Sequence, residues 1–464
     1  MLFNSPIFLF AFLPIALVGF AVLGRFGRSS AIGNKANPRL QSFWLVAGIV
    51  ANLATLGYFK YLFPLLNFFT HIGVGYKDWG SVVLPLGISF FTFTQLGYLV
   101  DLKQGEAEPQ GLVSYALFVT FFPHLIAGPI LHHKEMMPQF AEERRYGLNR
   151  DDLALGLTWF IMGLFKKVMI ADMLAPYSDA VFADPAHQSM ATAWAGAVRY
   201  LLQLYFDFSG YSDMAIGLAR MFSIRFPFNF NSPLKSTTVI EYWARWHMTL
   251  TRYITLYLFT PLSLAVSRSR LAKGKKVSPK ASRTLEGFIS MVAYPTTVTM
   301  LIVGIWHGAG LQFIIFGIIH GVCMTLERAW VLFRPSHHVA KSLVMQCAGV
   351  LRMSLTVLFA DIFFRSTSVG AAVTLLRVMA GLNGHAGPAV AAQELWPLLL
   401  FPIVWFLPNT QQILGQAESG SDLTPGWLMI RWRPSPQWAL VTGLALFLVL
   451  INLSNSTTFL YFQF

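Results

Sequence analysis

Charged side chains are scarce in this sequence: Asp, Glu, Lys and Arg make up 12% of its 464 residues, and 55% of the residues are hydrophobic. A soluble globular domain carries about 25% charged residues. Apolar runs that approach the roughly 20 residues needed to cross a bilayer recur along the chain. The shortage of charge excludes an ordinary soluble domain and predicts an all-α, polytopic membrane protein.

The apolar runs give about eleven to thirteen candidate membrane segments. Several of them are short or contain Gly and Pro, and such pieces persist at membrane depth only when protein or a cavity surrounds them. We therefore expect some of these segments to be re-entrant. The candidate segments are residues 7–24, 43–58, 82–100, 113–131, 154–171, 192–206, 211–222, 240–266, 288–304, 311–333, 343–364, 395–414 and 437–455.

Cysteine is almost absent, since only Cys323 and Cys347 occur and both lie in apolar stretches. Two such residues exclude a disulfide framework and have no metal-ligand spacing, so we predict buried, inert thiols and no metal site. The sequence also lacks an internal repeat and a separate soluble domain. We therefore expect one membrane domain over residues 1–464, with the polar stretch 415–436 as an irregular connector.

Acidic residues are few, with 21 Asp and Glu against 34 Lys and Arg, which gives a formal net charge of +13. The basic residues cluster in the loops 25–39 and 267–286 beside apolar runs. This pattern is typical of cytoplasmic membrane loops and excludes a nucleic-acid surface. The connector 267–286 could also contact anionic lipid.

No basic residue precedes the first apolar run, so Met1–Gly24 lacks the basic start of a cleavable signal peptide. We predict a retained span whose N-terminus faces away from the cytosol. The charged segment Glu142–Asp152 is predicted to begin an amphipathic helix, with Asn149 or Asp151 as its N-cap.

Four polar patches interrupt the apolar background. Each unpaired polar group in hydrocarbon costs roughly several kcal/mol. Clustered polar residues therefore predict a polar interior, such as an acyl or ion pathway. The patches span residues 84–101, 121–133, 203–247 and 304–320.

His307 lies in the sequence Gly304-Ile-Trp-His-Gly-Ala-Gly310, a glycine-rich break at the end of an apolar run. Ionisable groups at membrane depth usually face a cavity and mark a pathway or a reaction site. A histidine satisfied by a backbone carbonyl between packed helices is the alternative. The local sequence leaves both interpretations open.

Seven sequence blocks, in order, resemble the membrane-bound O-acyltransferase (MBOAT) family, in the branch that contains bacterial polysaccharide O-acetyltransferases of the alginate type and teichoic acid D-alanyl transfer proteins. The resemblance covers about residues 1–330, and residues 331–464 are additional C-terminal membrane segments. The blocks are Leu-Pro-Leu-Gly-Ile-Ser-Phe at 84–90, Leu-Ile-Ala-Gly-Pro-Ile at 125–130, Gly-Leu-Phe-Lys-Lys-Val at 163–168, Phe-Asp-Phe-Ser-Gly-Tyr-Ser-Asp-Met-Ala-Ile-Gly at 206–217, Asn-Phe-Asn-Ser-Pro at 229–233, Arg-Trp-His at 245–247 and Trp-His-Gly at 306–308.

The resemblance implies a helical bundle with a tunnel and two functional histidines. The family's essential histidine, in Trp-His-Gly, matches His307, and the second position, after Arg-Trp, matches His247. Imidazole titrates near neutral pH and suits proton transfer from an attacking hydroxyl. We assign His307 as base or transient acyl acceptor, and His247 as its orienting partner or as a group that binds the acyl carbonyl.

Further residues are predicted to line the substrate tunnel. His320 is thirteen residues after His307, which places the two on opposed faces of a straight helix about 20 Å apart, unless Gly308 and Gly310 break it. A structural role is favoured for His320, as it is for the two aspartates. The predicted lining residues are Asp207, Asp213, Glu241, Arg245, Trp246, Trp306 and His320.

Three more histidines, His124, His132 and His133, lie beside the Gly-Pro break at residues 128–129. They are candidates to line an entrance. The favoured interpretation is that they are loop histidines exposed to solvent.

The resemblance implies an inner-membrane acetyltransferase with no permanently bound cofactor. Its donor is cytosolic acetyl-CoA, and its acceptor is an exported polysaccharide. The sequence has no Gly-x-Ser-x-Gly element, so we expect a periplasmic SGNH-type transferase or another polysaccharide-modifying subunit as partner. A non-enzymatic carrier is an alternative from a different class. Other acceptors, namely cellulose, peptidoglycan, teichoic acid, lipid or protein, remain open as well.

Overall fold

A computed structural model describes residues 38–334, 342–382, 392–415 and 430–460, with short gaps at 72–78, 81, 86, 109–110, 125–127, 143–144, 146, 148, 456 and 458. The predicted first span at 7–24 and the basic loop 25–37 lie outside the described residues, as does most of the predicted connector 415–436.

The described residues form helices and contain no strand, which confirms the all-α prediction. In chain order the α-helices are α1 (Pro38–Leu56), α2 (Phe63–His71), α3 (Ile88–Gln104), α4 (Leu112–Thr120), α5 (His133–Phe140), α6 (Arg150–Phe165), α7 (Asp172–Ala183), α8 (Met190–Met221), α9 (Val239–Arg245), α10 (Met248–Ile254), α11 (Thr260–Ala272), α12 (Leu285–Phe288), α13 (Tyr294–His307), α14 (Leu311–Phe333), α15 (Leu343–Arg365), α16 (Val369–Met379), α17 (Leu400–Phe406), α18 (Thr410–Leu414) and α19 (Pro436–Asn452). Short π-helical segments continue α1, α6, α10 and α12 at Gly57–Leu62, Lys166–Ala171, Thr255–Phe259 and Ile289–Ala293.

The chain divides into two compact units. Residues 1–157 and 215–227 belong to the first unit, and residues 158–214 and 228–464 belong to the second. In the first unit α1 packs against α3, and in the second α13, α14 and α15 pack in sequence. The single-domain interpretation of residues 1–464 stays a prediction.

Among the described residues, five helical stretches are long and apolar enough to cross a membrane: Ser42–Thr70, Arg150–Ala183, Leu285–His307, Leu311–Phe333 and Leu343–Arg365. Each overlaps a predicted span. Other apolar helices, among them Val113–His124 and Val369–Met379, are shorter than a bilayer requires. Their length agrees with the expected re-entrant pieces.

Helix α8 runs unbroken through Gly210 for 32 residues. The prediction of two segments, 192–206 and 211–222, separated at this glycine is therefore wrong. Gly210 serves close packing: a Cβ there would lie 2.7 Å from the backbone oxygen of Gly163 on α6. The two helices meet backbone to backbone, and a helix break is not required.

Buried ion pairs tie the segment after α6 to α8. Lys166 Nζ lies 2.6 Å from Asp213 Oδ2, and Lys167 Nζ lies 2.7 Å from Asp207 Oδ1. Lys167 also contacts Asp172 Oδ1 at 2.6 Å. Each aspartate therefore has a lysine as counter-ion, which is the structural role that the sequence favoured for Asp207 and Asp213.

The Lys167 cluster also holds the end of the chain. Thr457 Oγ1 donates to Asp172 Oδ1 at 2.6 Å, and the backbone N–H of Leu460 donates to Asp207 Oδ2 at 3.2 Å. Lys167 and Asp207 are 3% and 2% exposed. A charge buried this deeply persists only when it is paired.

Asn149 is the N-cap of α6, because its Oδ1 accepts from the backbone N–H groups of Asp151 and Asp152 at 3.0 and 3.2 Å. This confirms one of the two predicted caps. The prediction of buried thiols is wrong, since Cys323 is partly exposed and Cys347 is exposed. Both residues lie on long apolar helices, Cys323 on α14 and Cys347 on α15.

We expect Lys167→Met to destabilise the protein by about 3–5 kcal/mol, because it leaves two buried carboxylates without their counter-ion. Lys134→Met is the matched control, since Lys134 pairs with Glu106 at the surface, where an ion pair contributes about 0–1 kcal/mol. Thermal unfolding of the detergent-purified variants, followed by tryptophan fluorescence, measures the difference. Equal shifts for the two variants would show that the buried cluster has no special role.

Candidate active site

The chain reverses sharply between α13 and α14. His307 is the last residue of α13, Gly308 is fully extended, and α14 begins at Leu311. The predicted helix break is therefore present at Gly308–Gly310. His307 and His320, which a straight helix would separate, line the same cavity.

Two glycines allow α13 and α14 to approach closely. A Cβ on Gly304 would lie 2.3 Å from the Phe313 backbone oxygen, and a Cβ on Gly317 would lie 2.4 Å from the Met300 backbone oxygen. Any larger side chain at either position would separate the helices. The approach therefore fixes the distance between the helices that present His307 and His320.

His247 connects α9 to α10 in a left-handed conformation, with φ of 43° and ψ of 52°. Few non-glycine residues adopt this conformation, and those that do often lie at functional sites. The side chain is 1% exposed and packs edge-on against the Phe208 ring, with centroids 4.8 Å apart. The Phe208 ring therefore restricts the orientation of the imidazole.

Asn229 defines the tautomer of His247. Asn229 Oδ1 lies 3.0 Å from His247 Nδ1 and also accepts from the backbone N–H of Thr249 at 3.3 Å. Because that N–H only donates, the amide oxygen is correctly placed, and His247 Nδ1 must carry the proton. Neutral His247 therefore has its basic lone pair on Nε2.

His320 has the opposite tautomer. The indole N–H of Trp243 donates to His320 Nδ1 at 3.2 Å, and tryptophan has no acceptor nitrogen. Neutral His320 must therefore carry its proton on Nε2 and offer a donor there. The side chain is 1% exposed, and the Tyr242 ring lies parallel to it with centroids 6.4 Å apart.

The three imidazoles line one cavity of the second unit, which is partly open to the outside. It lies where α8, α9, α13, α14 and α15 approach one another. Its lining residues are Leu204, Tyr242, Trp243, Trp246, His247, His307, Phe316, His320, Asp361 and Phe364.

Asp361, on α15, is a lining residue that the sequence did not predict. It is 4% exposed, and its Oδ2 has no hydrogen-bond partner among the described residues. None of the ten lining residues is a lysine or an arginine. The available signal was a single acidic residue in the apolar run 343–364, where a charged group faces protein or a cavity.

Of the predicted lining residues, Trp246 and His320 line this cavity. Glu241 and Arg245 instead pair with each other at 3.0 Å, and Arg245 donates to the Asn231 backbone oxygen at 3.3 Å. They stabilise the loop before α9. Trp306 packs against His307, with ring centroids 4.7 Å apart, without lining the cavity.

Asp207 and Asp213 are also absent from the lining residues, because the lysines after α6 pair with both carboxylates. Glu327 on α14, which the sequence did not single out, contributes to the site indirectly. Its carboxylate accepts from the first two backbone N–H groups of α9, Val239 at 2.9 Å and Ile240 at 3.1 Å. It thereby attaches the helix before His247 to the helix that carries His320.

The three predicted entrance histidines lie in the first unit. The prediction of solvent exposure is wrong for His124 and His133, which are 3% and 6% exposed. His132 is partly exposed, with 16% of its side chain accessible. The polar segment folds against α3, so its apolar neighbours shield the imidazoles from water.

The chain belongs to the membrane-bound O-acyltransferase (MBOAT) family, whose sequence pattern matches residues 88–277. It is 34% identical over 451 residues to a peptidoglycan O-acetyltransferase of Helicobacter pylori. The alignment covers 83% of this chain and 80% of that protein. It is 41% identical over 293 residues to the probable alginate O-acetylase AlgI of Azotobacter vinelandii, or 62% of this chain and 54% of that protein. A teichoic acid D-alanyltransferase of Streptococcus thermophilus is 28% identical over 260 residues, which cover 54% of this chain and 58% of that protein.

The predicted family is thereby confirmed. The protein is an O-acyltransferase and a multi-pass membrane protein. Its membership of an enzyme family leaves the carrier interpretation without support. The chain spans about half the length of the alginate relative, so the activity of that whole protein is not transferred to it.

We expect Gly317→Ala to destabilise the protein by about 1–3 kcal/mol, because the added methyl group meets the Met300 backbone and separates α13 from α14. Gly443→Ala on α19 is the control, since a Cβ there meets nothing within 4 Å. Alanine is the better helix former, so this control should gain about 0.5–1 kcal/mol. Thermal unfolding measures both variants. A stability gain for Gly317→Ala would contradict the close helix approach.

Proposed function

We propose that this protein is an inner-membrane O-acetyltransferase that takes acetyl from cytosolic acetyl-CoA for O-acetylation of an exported polysaccharide. The observation that carries the proposal is that His247 and His307 line one cavity. His307 lies at the end of α13 and His247 lies in the α9–α10 connection. The two residues are 60 positions apart in the sequence (307 − 247). Such convergence is what acid–base chemistry on one substrate requires.

His307 acts as the base in this proposal. The acceptor hydroxyl oxygen attacks the thioester carbonyl carbon and gives its proton to the imidazole. The carbon–sulfur bond then breaks, the electron pair leaves on the CoA sulfur, and the proton returns to that sulfur. In the alternative role, the imidazole itself holds the acetyl group before the hydroxyl attacks.

The tautomers of His247 and His320 indicate which catalytic role each residue can take. The lone pair on His247 Nε2 suits an orienting partner that accepts a hydrogen bond from His307 or from the acceptor hydroxyl. Neutral His247 therefore cannot donate from Nε2 to the acyl carbonyl, which is the alternative role for this residue. His320, with its proton on Nε2, supplies a donor to the carbonyl oxygen as negative charge develops there.

Asp361 completes the set as a partner for a protonated imidazole. When a histidine takes up the hydroxyl proton, Asp361 gains the cationic partner that a buried carboxylate requires, and each charge then stabilises the other. No lysine or arginine of the lining set competes for it. We assign Asp361 as a positioning residue that acts through the histidines.

The proposed acetyl donor and partner protein would supply groups that the sequence does not contain. A thioester supplies an activated acetyl group, so no bound cofactor is needed. The sequence has no esterase-type nucleophile element, and for this reason we propose a periplasmic SGNH-type transferase as partner. The five long apolar helices support placement in the bacterial inner membrane.

Two acceptors are supported by the relatives. The alginate O-acetylases give higher identity, 41% against 34%, whereas the peptidoglycan O-acetyltransferase aligns with 83% of this chain against 62%. We propose a polysaccharide hydroxyl as the final acceptor, which the acetyl group reaches through the partner transferase. An alginate-like polymer is proposed first and the glycan strands of peptidoglycan second. Chemical identification of the acetylated polymer in wild-type and deletion strains distinguishes them.

We expect His307→Ala to lower acetyl transfer at least about 100-fold, because general base catalysis contributes about 10²–10⁴. His187→Ala is the control, since His187 lies at the surface with its side chain 76% exposed. The measurement is incorporation of labelled acetyl into extracytoplasmic polymer at matched protein levels. Normal acetylation in the His307→Ala strain would refute the proposed chemistry.

We expect His320→Phe to lower the turnover number about 100-fold or more, the usual cost of removing one oxyanion donor. His320→Gln retains an N–H donor and should recover part of that loss with little change in KM. Thioester cleavage by purified protein in the presence of an acceptor sugar measures both. Equal loss in the two variants would exclude the donor role.

A further inference from the structure

A second histidine cluster occurs in the first unit and takes no part in the chemistry described above. Asp101 lies in the last turn of α3, and His132 and His133 lie where α5 begins. One ligand atom from each residue lies within 4.8 Å of the other two. His132 Nε2 is 3.1 Å and His133 Nε2 is 3.7 Å from the same oxygen, Asp101 Oδ2.

His133 provides the observation that points to a ligand. Its side chain is 7% exposed, and its Nε2 has no hydrogen-bond partner among the described residues. The distance of 3.7 Å to Asp101 is too long for a hydrogen bond. A buried polar atom without a partner costs about 1–3 kcal/mol, so the cluster lacks one component.

The spacing fits a metal ion. Zinc binds imidazole nitrogen and carboxylate oxygen at about 2.0–2.2 Å, and a tetrahedron of that size separates its ligands by about 3.3 Å. The two separations from Asp101 Oδ2, 3.1 and 3.7 Å, lie on either side of that value, and all three ligand atoms lie within 4.8 Å of one another. Two neutral imidazoles and one carboxylate are the donor set that borderline divalent transition metals prefer.

The ligands are held in place by their surroundings. The Asp101 backbone oxygen accepts from the N–H groups of Glu106 and Ala107, at 2.8 and 3.2 Å, where the chain turns after α3. The Tyr98 ring packs edge-on against the His133 ring at 5.1 Å, and Tyr115 packs against Tyr98 at 5.2 Å. A metal site gains affinity when its ligands are pre-positioned in this way.

We propose that Asp101, His132 and His133 bind one divalent transition-metal ion of the zinc class, with water in the fourth position. The ion would tie the end of α3 to the start of α5. Binding through Nε2 requires His132 to carry its proton on Nδ1, so the long 3.3 Å contact from the Lys134 backbone N–H is given up. The set does not form a ligand motif in the sequence, because 31 residues separate Asp101 from His132 by their numbers (132 − 101).

Metal analysis of the full-length protein, purified in detergent without chelator, tests the site. We expect about one zinc ion per chain in the wild type, by plasma mass spectrometry. Asp101→Asn and His133→Gln should each lower the metal content at least about 10-fold. The matched control is His187→Gln, since His187 and Asp184 form an exposed pair at 2.8 Å without a third ligand.

Cobalt binding gives a readout that does not depend on the folding of variants or on transferase activity. We expect Co²⁺ added to chelator-treated wild-type protein to give visible d–d absorption with one-site saturation, and Zn²⁺ to raise its unfolding temperature. Wild-type protein with no zinc, no cobalt absorption and no thermal shift would overturn the proposal. Unchanged metal content in Asp101→Asn and His133→Gln would overturn it as well.

Discussion

The reversal of the chain at Gly308–Gly310 is the constraint on which the candidate active site depends. It turns α14 back along α13, and Gly304 and Gly317 then let the two helices approach without intervening side chains. As a result, His307 and His320 line one cavity although a straight helix would hold them about 20 Å apart. The same reversal brings α15, with Asp361, to the cavity.

Hydrogen bonds at Nδ1 of His247 and His320 then decide whether the Nε2 of each imidazole is a donor or an acceptor. Asn229 accepts from His247 Nδ1, and Trp243 donates to His320 Nδ1. One histidine therefore has an acceptor on Nε2 and the other a donor. Because both residues are only 1% exposed, water does not readily exchange the protons that define these tautomers. A site that both removes a proton and stabilises an oxyanion needs this complementarity.

The sequence predicted the helical class and the family, because apolar composition and the order of the motifs are local properties. The catalytic roles of His247 and His307 stay predictions. The sequence also located the helix break, since glycines flank His307 on both sides. The sequence failed where long-range packing decides. Gly210 resembles a breaker, but its role is contact with Gly163 on another helix.

The sequence does not show which residues lie near Asp361, nor which lysines pair with Asp207 and Asp213. Asp361 is 54 residues from His307 by their numbers (361 − 307). Lys167 is 40 residues from Asp207 (207 − 167), and Lys166 is 47 residues from Asp213 (213 − 166). None of these distances leaves a pattern in a single sequence. Burial of His124 and His133 depends in the same way on how a loop packs, which composition does not report.

The central claim is that His247 and His307 act on one reaction, and a double-mutant cycle tests it most directly. The rate of acetyl transfer would be measured for His247→Ala, His307→Ala and the double variant, with purified proteins of equal thermal stability. Groups that act as a unit give strongly non-additive losses, so the double variant should be about as slow as the slower single variant. Losses that multiply across the two sites would show that the histidines act independently and would contradict the account.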